Sequence, residues 1–234
     1  ATLGPPLAHV GDRADELVLP PGYRLRPFRV RDRAAVERIR DLSYGPHGVR
    51  NRLDVYRPRG GPSAGAPVLL QVHGGAGVLG EKAPQGLPLM TPRARRGFVC
   101  VAINYRLSPK ATFPDHLVDC KRALAWIGAN IAGYGGDPGW VAVTGGSAGG
   151  HLASLLALTA NEPALQPGFE SADTAVAACV PLYGAYDFLH HNGVDVTTAR
   201  GRSFVETRVM KSTPRAARAE WERAPPGRRV HAGA

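Results

Sequence analysis

Four short, nearly unbroken apolar runs punctuate the chain: 67–73 (PVLLQVH), 98–103 (FVCVAI), 140–144 (WVAVT) and 175–182 (AVAACVPL). Such runs, without alternation, are what strands buried on both faces of a mainly parallel sheet require. Between the second and third, Leu117, Cys120, Leu124, Ile127 and Ile131 recur at steps of three and four, which predicts an amphipathic helix over 115–131. Leu152, Leu155 and Leu156 predict another helix, ending near Asn161 and Pro163. Alternation over 50–57 (RNRLDVYR) predicts a half-exposed strand, and Val36, Ile39 and Leu42 at helical spacing predict a helical patch over 33–42. The segment Glu81-Lys82-Ala83-Pro84-Gln85-Gly86 reads as loop, unable to open a long helix directly. Strands alternating with helices give βαβ units, so the fold class is α/β, a mainly parallel sheet flanked by helices.

Composition narrows this to a globular chain. With 44% hydrophobic and 21% charged residues over 234 positions, neither disorder nor coiled coil fits. No apolar run approaches the ~18 residues that would span a bilayer, and no signal-peptide pattern follows Ala1. A cytoplasmic chain without a membrane segment is expected. Nine of the basic residues fall from Arg200 onward against three acids, which carries most of the net charge of +10. Phe204 and Trp221 alone among them do not make a stacking platform, so a solvated terminus is expected there and no nucleic-acid partner. Cys100, Cys120 and Cys179 lie far apart in apolar stretches with no C-x-x-C, which predicts neither disulfide nor metal site.

Candidate chemistry sits in two glycine clusters, each following a buried strand. The first, His73-Gly74-Gly75-Ala76-Gly77-Val78-Leu79-Gly80, matches a dinucleotide fingerprint mechanically. It lacks both the expected helix and an acid about 20 residues on, so no nucleotide cofactor is expected. The second, Gly145-Gly146-Ser147-Ala148-Gly149-Gly150, fits G-x-S-x-G between a predicted strand and a predicted helix. Small residues flank the serine because a sharp strand-to-helix turn leaves no room for side chains. Together the clusters supply a nucleophile, Ser147, and an oxyanion hole from the N–H groups of Gly74, Gly75 and Ala148. His73 reads as an organiser of its loop rather than as the base.

At these residues the chain resembles the α/β-hydrolase superfamily, and within it the esterases related to hormone-sensitive lipase, especially actinobacterial carboxylesterase-like members. The matching pieces are 53–58 (LDVYRP), 73–76 (HGGA), 104–109 (NYRLSP), Phe113-Pro114, 134–138 (YGGDP) and 145–153 (GGSAGGHLA). The resemblance implies a carboxylic-ester hydrolase acting on a small-molecule ester, with Ser147 as nucleophile and no metal or organic cofactor. His-Gly-Gly-Ala replaces the family's His-Gly-Gly-Gly.

The family order is Ser, then an acid, then His, and the residues that could complete it here are poorly placed. Asp173 precedes a strand, Asp187 reads as structural, and His151 lies one helical turn beyond Ser147. His190 and His191 near Asp187 could mimic a dyad, and His231 lies in a segment with no strand to position it. The expectation is therefore a truncated hydrolase without its acid and His, lacking the last strands of the fold and ending in a debris-like segment over 225–234. The alternative is a non-catalytic pseudo-hydrolase that binds acyl ligands. The expected organisation is an N-terminal extension or cap segment over 1–45, a hydrolase core over 46–190, and a partial cap with basic tail over 191–234. Weak helical patches at 204–209 and 215–223 fit a cap.

Overall fold

A computed structural model describes residues 33–187, 189 and 199–230. Its centre is a six-stranded sheet in the order β1-β2-β4-β3-β5-β6. The strands are β1 Val36–Ser43, β2 Arg52–Pro58, β3 Ala66–Val72, β4 Val99–Ile103, β5 Gly136–Gly146 and β6 Ala178–Leu182. β1, β2 and β4 pair antiparallel, while β4, β3, β5 and β6 run parallel. Helix α1 (Lys82–Ala94) covers one face, where Met90 and Ala94 meet Tyr56, Leu69 and Cys100. Helices α2 (Asp115–Asn130) and α3 (Ala148–Leu158) cover the other, forming the larger core with Leu70, Val101 and Val143.

The chain leaves β3 toward β4 on one side and later returns to β5 on the other. The carboxyl ends of β3 and β5 are thus a topological switch point, where an open α/β sheet parts its loops into a crevice. Val72 pairs with Gly145 at that end, so the two glycine clusters leave the sheet side by side.

Four expectations need correction. Residues 36–43 form a strand instead of a helix. Val36 packs on the α1 face and Ile39 on the other, as three steps along a strand demand, and a bulge keeps Leu42 on the face of Ile39. The bulge centres on Asp41, which has φ +58 and whose N–H donates to Asp54 Oδ1. The sheet therefore draws on residues within the segment read as an N-terminal extension.

Residues 82–94 do form a long helix. Pro84 falls in its first turn, where no intrahelical N–H is needed. Lys82, Gly86, Met90 and Ala94 recur every four residues as its buried face, and this packing outweighs the cost of Pro88 and Pro92 within it.

β6 is an edge strand, not a fully buried one. It pairs only with β5 among the described residues, and Val180 is 55% and Leu182 44% exposed.

The C-terminal segment also differs from a solvated tail. Helix α5 (Arg218–Arg223) buries Trp221, which donates from Nε1 to Ser212 Oγ at 3.1 Å. Ala224, Pro225 and Pro226 are buried, the Gly227 N–H donates to the Tyr186 carbonyl, and Arg223 and Arg229 both pair with Glu162. The other predicted cap patch is helix α4 (Ala199–Phe204) continued by a π-turn over Val205–Met210.

Candidate active site

Ser147 stands between β5 and α3 with φ +55 and ψ −122, a backbone that costs a non-glycine residue on the order of 1–3 kcal/mol and persists only where the surroundings dictate it. The surroundings here are backbone. A Cβ on Gly145 would fall 2.6 Å from the Val72 carbonyl oxygen, and one on Gly149 would fall 2.2 Å from the same atom. The glycines let β5 and α3 close on β3, and the serine is pushed out. It is exposed, and its Oγ hydrogen-bonds to none of the described residues. Because it caps α3, the unbonded first N–H groups of the helix, beginning with that of Ala148, lie directly after it.

The loop after β3 is held as tightly. His73 is fully buried and stacks on Tyr105 at 4.3 Å between centroids. Its Nδ1–H donates to the Gly74 carbonyl at 2.7 Å, and the Tyr105 hydroxyl donates to the His73 carbonyl at 2.9 Å. Burial holds the His73 pKa down at about 4, so the ring is neutral at pH 7. His73 Nε2 is buried without a hydrogen-bond partner among the described residues. Gly75 has φ +117 and leaves no room for a side chain, since a Cβ would meet the Leu79 carbonyl oxygen at 2.1 Å. The Gly74 N–H, expected to point at an oxyanion, instead donates to Gln85 Oε1 at 2.7 Å. Gly75 and Ala76 keep N–H groups that bond to none of the described residues. The partner Gln85 comes from α1, the helix that local reading missed, and only a view of the fold reveals the pair.

Two cavities meet at Ser147. One, of about 530 Å³, is mostly apolar and is walled by Phe113, Leu152, Phe204, Val209 and Met210. The other, of about 470 Å³, carries Gln71, Gln85 and Thr144 beside Gly74 and Gly75. Tyr183 lines both.

Two histidines share the apolar cavity with Ser147. His151 donates from Nδ1 to the Ala185 carbonyl at 2.7 Å, and burial lowers its pKa. His116 contacts Ser108 Oγ through Nε2 at 3.2 Å; burial brings its pKa to about 4. Neither is hydrogen-bonded to Ser147. Asp187 is buried and accepts the Leu189 N–H at 3.1 Å, a loop-closing bond. Asp173 accepts the Ala175 N–H at 2.9 Å ahead of β6. His190, His191 and His231 lie outside the described residues. Among the described residues no three His, Cys, Asp or Glu side chains gather as metal ligands, and no helix is long and apolar enough to cross a membrane.

A serine on a strained strand-to-helix turn, beside a glycine loop at the switch point of a mostly parallel sheet, defines an α/β-hydrolase. The chain belongs to the BD-FAE family, which matches residues 53–232. It is 53% identical over 173 residues to the esterase LipQ of Mycobacterium tuberculosis, a match covering 74% of this chain and 40% of that protein. It is 58% identical over 149 residues to the probable carboxylic ester hydrolase LipM of the same organism, covering 63% of this chain and 35% of LipM. The chain thus spans two-fifths or less of the length of these relatives. A truncated form of a carbohydrate esterase from gut microbiota shares the fold, with TM-score 0.71 at 24% identity over 84% of this chain and 73% of that one. The family match runs through residues 225–232, the segment read from sequence as debris.

Proposed function

We propose that this chain carries the nucleophile and oxyanion donors of a carboxylic-ester hydrolase that works through an acyl-enzyme. Ser147 Oγ attacks the ester carbonyl carbon as its proton passes to a base, and the carbonyl oxygen becomes an oxyanion. The N–H groups of Gly75, Ala76 and Ala148 receive that charge, Ala76 standing in for Gly74, whose N–H is engaged by Gln85. Collapse expels the alcohol, and water then releases the acid. The apolar cavity takes a short acyl group, and His73 holds the donor loop in place. The observation that carries this reading is the strained, exposed Ser147 sharing its cavities with Gly75, Ala76 and Ala148, the first two with N–H groups that bond to none of the described residues. The relatives' own descriptions as esterases point the same way.

A second reading has its own observation: no imidazole or carboxylate among the described residues is hydrogen-bonded to Ser147 Oγ. On that reading the serine is weakly activated, and the chain is a slow hydrolase or a non-catalytic binder of acyl ligands. An intact oxyanion hole alone still leaves about 10³–10⁴-fold acceleration over water. Hydrolysis of p-nitrophenyl butyrate by the chain and by Ser147→Ala separates the two. Turnover lost in the variant supports the esterase; equal background rates with acyl-ligand binding retained support the binder.

A further inference from the structure

Three consecutive peptide planes lead from β3 into the glycine loop. What holds each plane decides where its N–H points, because the N–H and C=O of a trans peptide point opposite ways. On the first, the His73 carbonyl accepts the Tyr105 hydroxyl at 2.9 Å and the Gly74 N–H donates to Gln85 Oε1 at 2.7 Å. On the second, the Gly74 carbonyl accepts from His73 Nδ1 at 2.7 Å, which turns the Gly75 N–H the other way. On the third, the Gly75 carbonyl accepts the N–H groups of Val78 and Leu79 at 3.0 and 3.1 Å, which turns the Ala76 N–H away from them. The loop is strained: Gly75, Ala76 and Gly77 have φ +117, +53 and +73, and Ala76 carries a side chain in that region. Such a backbone keeps its shape only where contacts from outside impose it.

Gln85 supplies one of these contacts from a rigid mount. It lies one turn into α1, whose start is fixed by Lys82. The Lys82 Nζ sits 2.8 Å from both Asp41 and Asp54, and its backbone N–H donates to Asn104 Oδ1 at 2.7 Å. One position after Gln85, a Cβ on Gly86 would fall 2.9 Å from Gln71 Oε1 on β3, so the helix lies close on the sheet. Gln85 itself is exposed and lines the polar cavity beside Ser147, so core packing makes no use of its amide. A carboxylate at this position would accept the Gly74 N–H equally well, but it would set a negative charge against the one that forms nearby.

We propose that Gln85 is a positioning residue for acyl transfer. By holding the Gly74 N–H it fixes the planes that follow, so that the Gly75 and Ala76 N–H groups are oriented before the oxyanion forms. Its neutral oxygen leaves that charge unopposed. Gln85 acts through the loop and not on the reacting atoms. This rests on the serine-esterase reading for the identity of the charge, but one arm of its test does not need turnover.

Gln85→Leu and Gln85→Glu separate the hold from the charge. The Gly74 amide is followed by NMR hydrogen exchange, and p-nitrophenyl butyrate hydrolysis by initial rates. Gln85 is exposed, so both variants should fold, which the amide spectrum checks. In Gln85→Leu the Gly74 amide is expected to exchange faster and the Gly75 and Ala76 resonances to shift. Its kcat should fall roughly 10²-fold with KM little changed, the loss that misplaced groups bring. In Gln85→Glu the Gly74 amide should stay protected while kcat falls about tenfold. Unchanged Gly74 exchange in Gln85→Leu, or a kcat there that holds steady or rises as the freed Gly74 N–H joins the donors, overturns the proposal. A Gln85→Glu chain as fast as the unmodified one overturns it too. Failure of the esterase reading shows separately, as an unmodified chain that turns nothing over while its Gly74 amide still depends on Gln85.

Discussion

The backbone N–H of Ser147 donates to the Leu182 carbonyl oxygen at 3.0 Å. Ser147 is therefore tied to the end of the edge strand as well as to its own. The tie is reinforced on both sides: Gly150 packs where a Cβ would meet the same Leu182 oxygen at 2.6 Å, and Gly184 sits where one would meet the His151 nitrogen at 2.7 Å. His151 Nδ1 then holds Ala185. The turn after β6 thus wraps the first turn of α3, and Tyr183 is presented at the front as a result.

The elbow depends on close backbone approach, which a single methyl group tests. Gly149→Ala places a Cβ 2.2 Å from the Val72 and 2.8 Å from the His73 carbonyl oxygen, neither of which is a movable side chain. The expected cost is about 1–3 kcal/mol, seen as a Tm lower by several degrees. Gly128→Ala is the contrast: it lies in α2 with nothing within 4 Å of the new Cβ. It should raise stability by about 0.5–1 kcal/mol. Equal effects in thermal unfolding would contradict the packing described.

Acid should weaken the fold in a defined window. His73 and His116 have pKa values lowered from 6.5 to about 4 by burial. Between those limits the unfolded chain takes up protons that the folded chain refuses. Stability is fully present above about pH 6.5 and falls as pH drops toward about 4. Thermal unfolding across that range should show a falling Tm, and His116→Phe should make the fall shallower. An unchanged slope in the variant would remove His116 from the account.

Trp221 reports whether the C-terminal segment belongs to the folded unit. It is 1% exposed, so Trp221→Ala should destabilise by about 3–5 kcal/mol. Arg218, whose side chain is 84% exposed in its pair with Glu222, should change stability by no more than about 0.5 kcal/mol when replaced by Ala. Denaturant unfolding compares them directly; similar small effects would mean that α5 does not pack as described.

How much of this was legible in the sequence follows from which interactions are local. The parallel strands β3, β4 and β5 announce themselves because burial on both faces selects unbroken apolar runs. Ser147 does so because the turn that carries it tolerates little beside glycine and alanine. β1 is not legible: its bulge at Asp41 stretches a strand's face spacing to three residues and imitates a helix. α1 hides behind Pro84, Pro88 and Pro92, whose local penalties are outweighed by a buried face that only the sheet supplies. The apolar sequence of β6 does not say that no further described strand covers it. The Gly74–Gln85 bond joins residues eleven apart through a helix that local reading missed, so which N–H groups of the glycine loop are engaged needed the fold to be seen.

On the proposed reading Ser147 is a nucleophile held beside free N–H donors. Treating the chain with a p-nitrophenyl alkylphosphonate tests it most directly, because Oγ attack on phosphorus forms an O–P bond, displaces p-nitrophenolate and leaves a tetrahedral adduct in the oxyanion site. One equivalent of p-nitrophenolate is expected and, by mass spectrometry, a single adduct on the peptide containing Ser147, with none in Ser147→Ala. An unlabelled chain, or labelling that persists in Ser147→Ala, would contradict it.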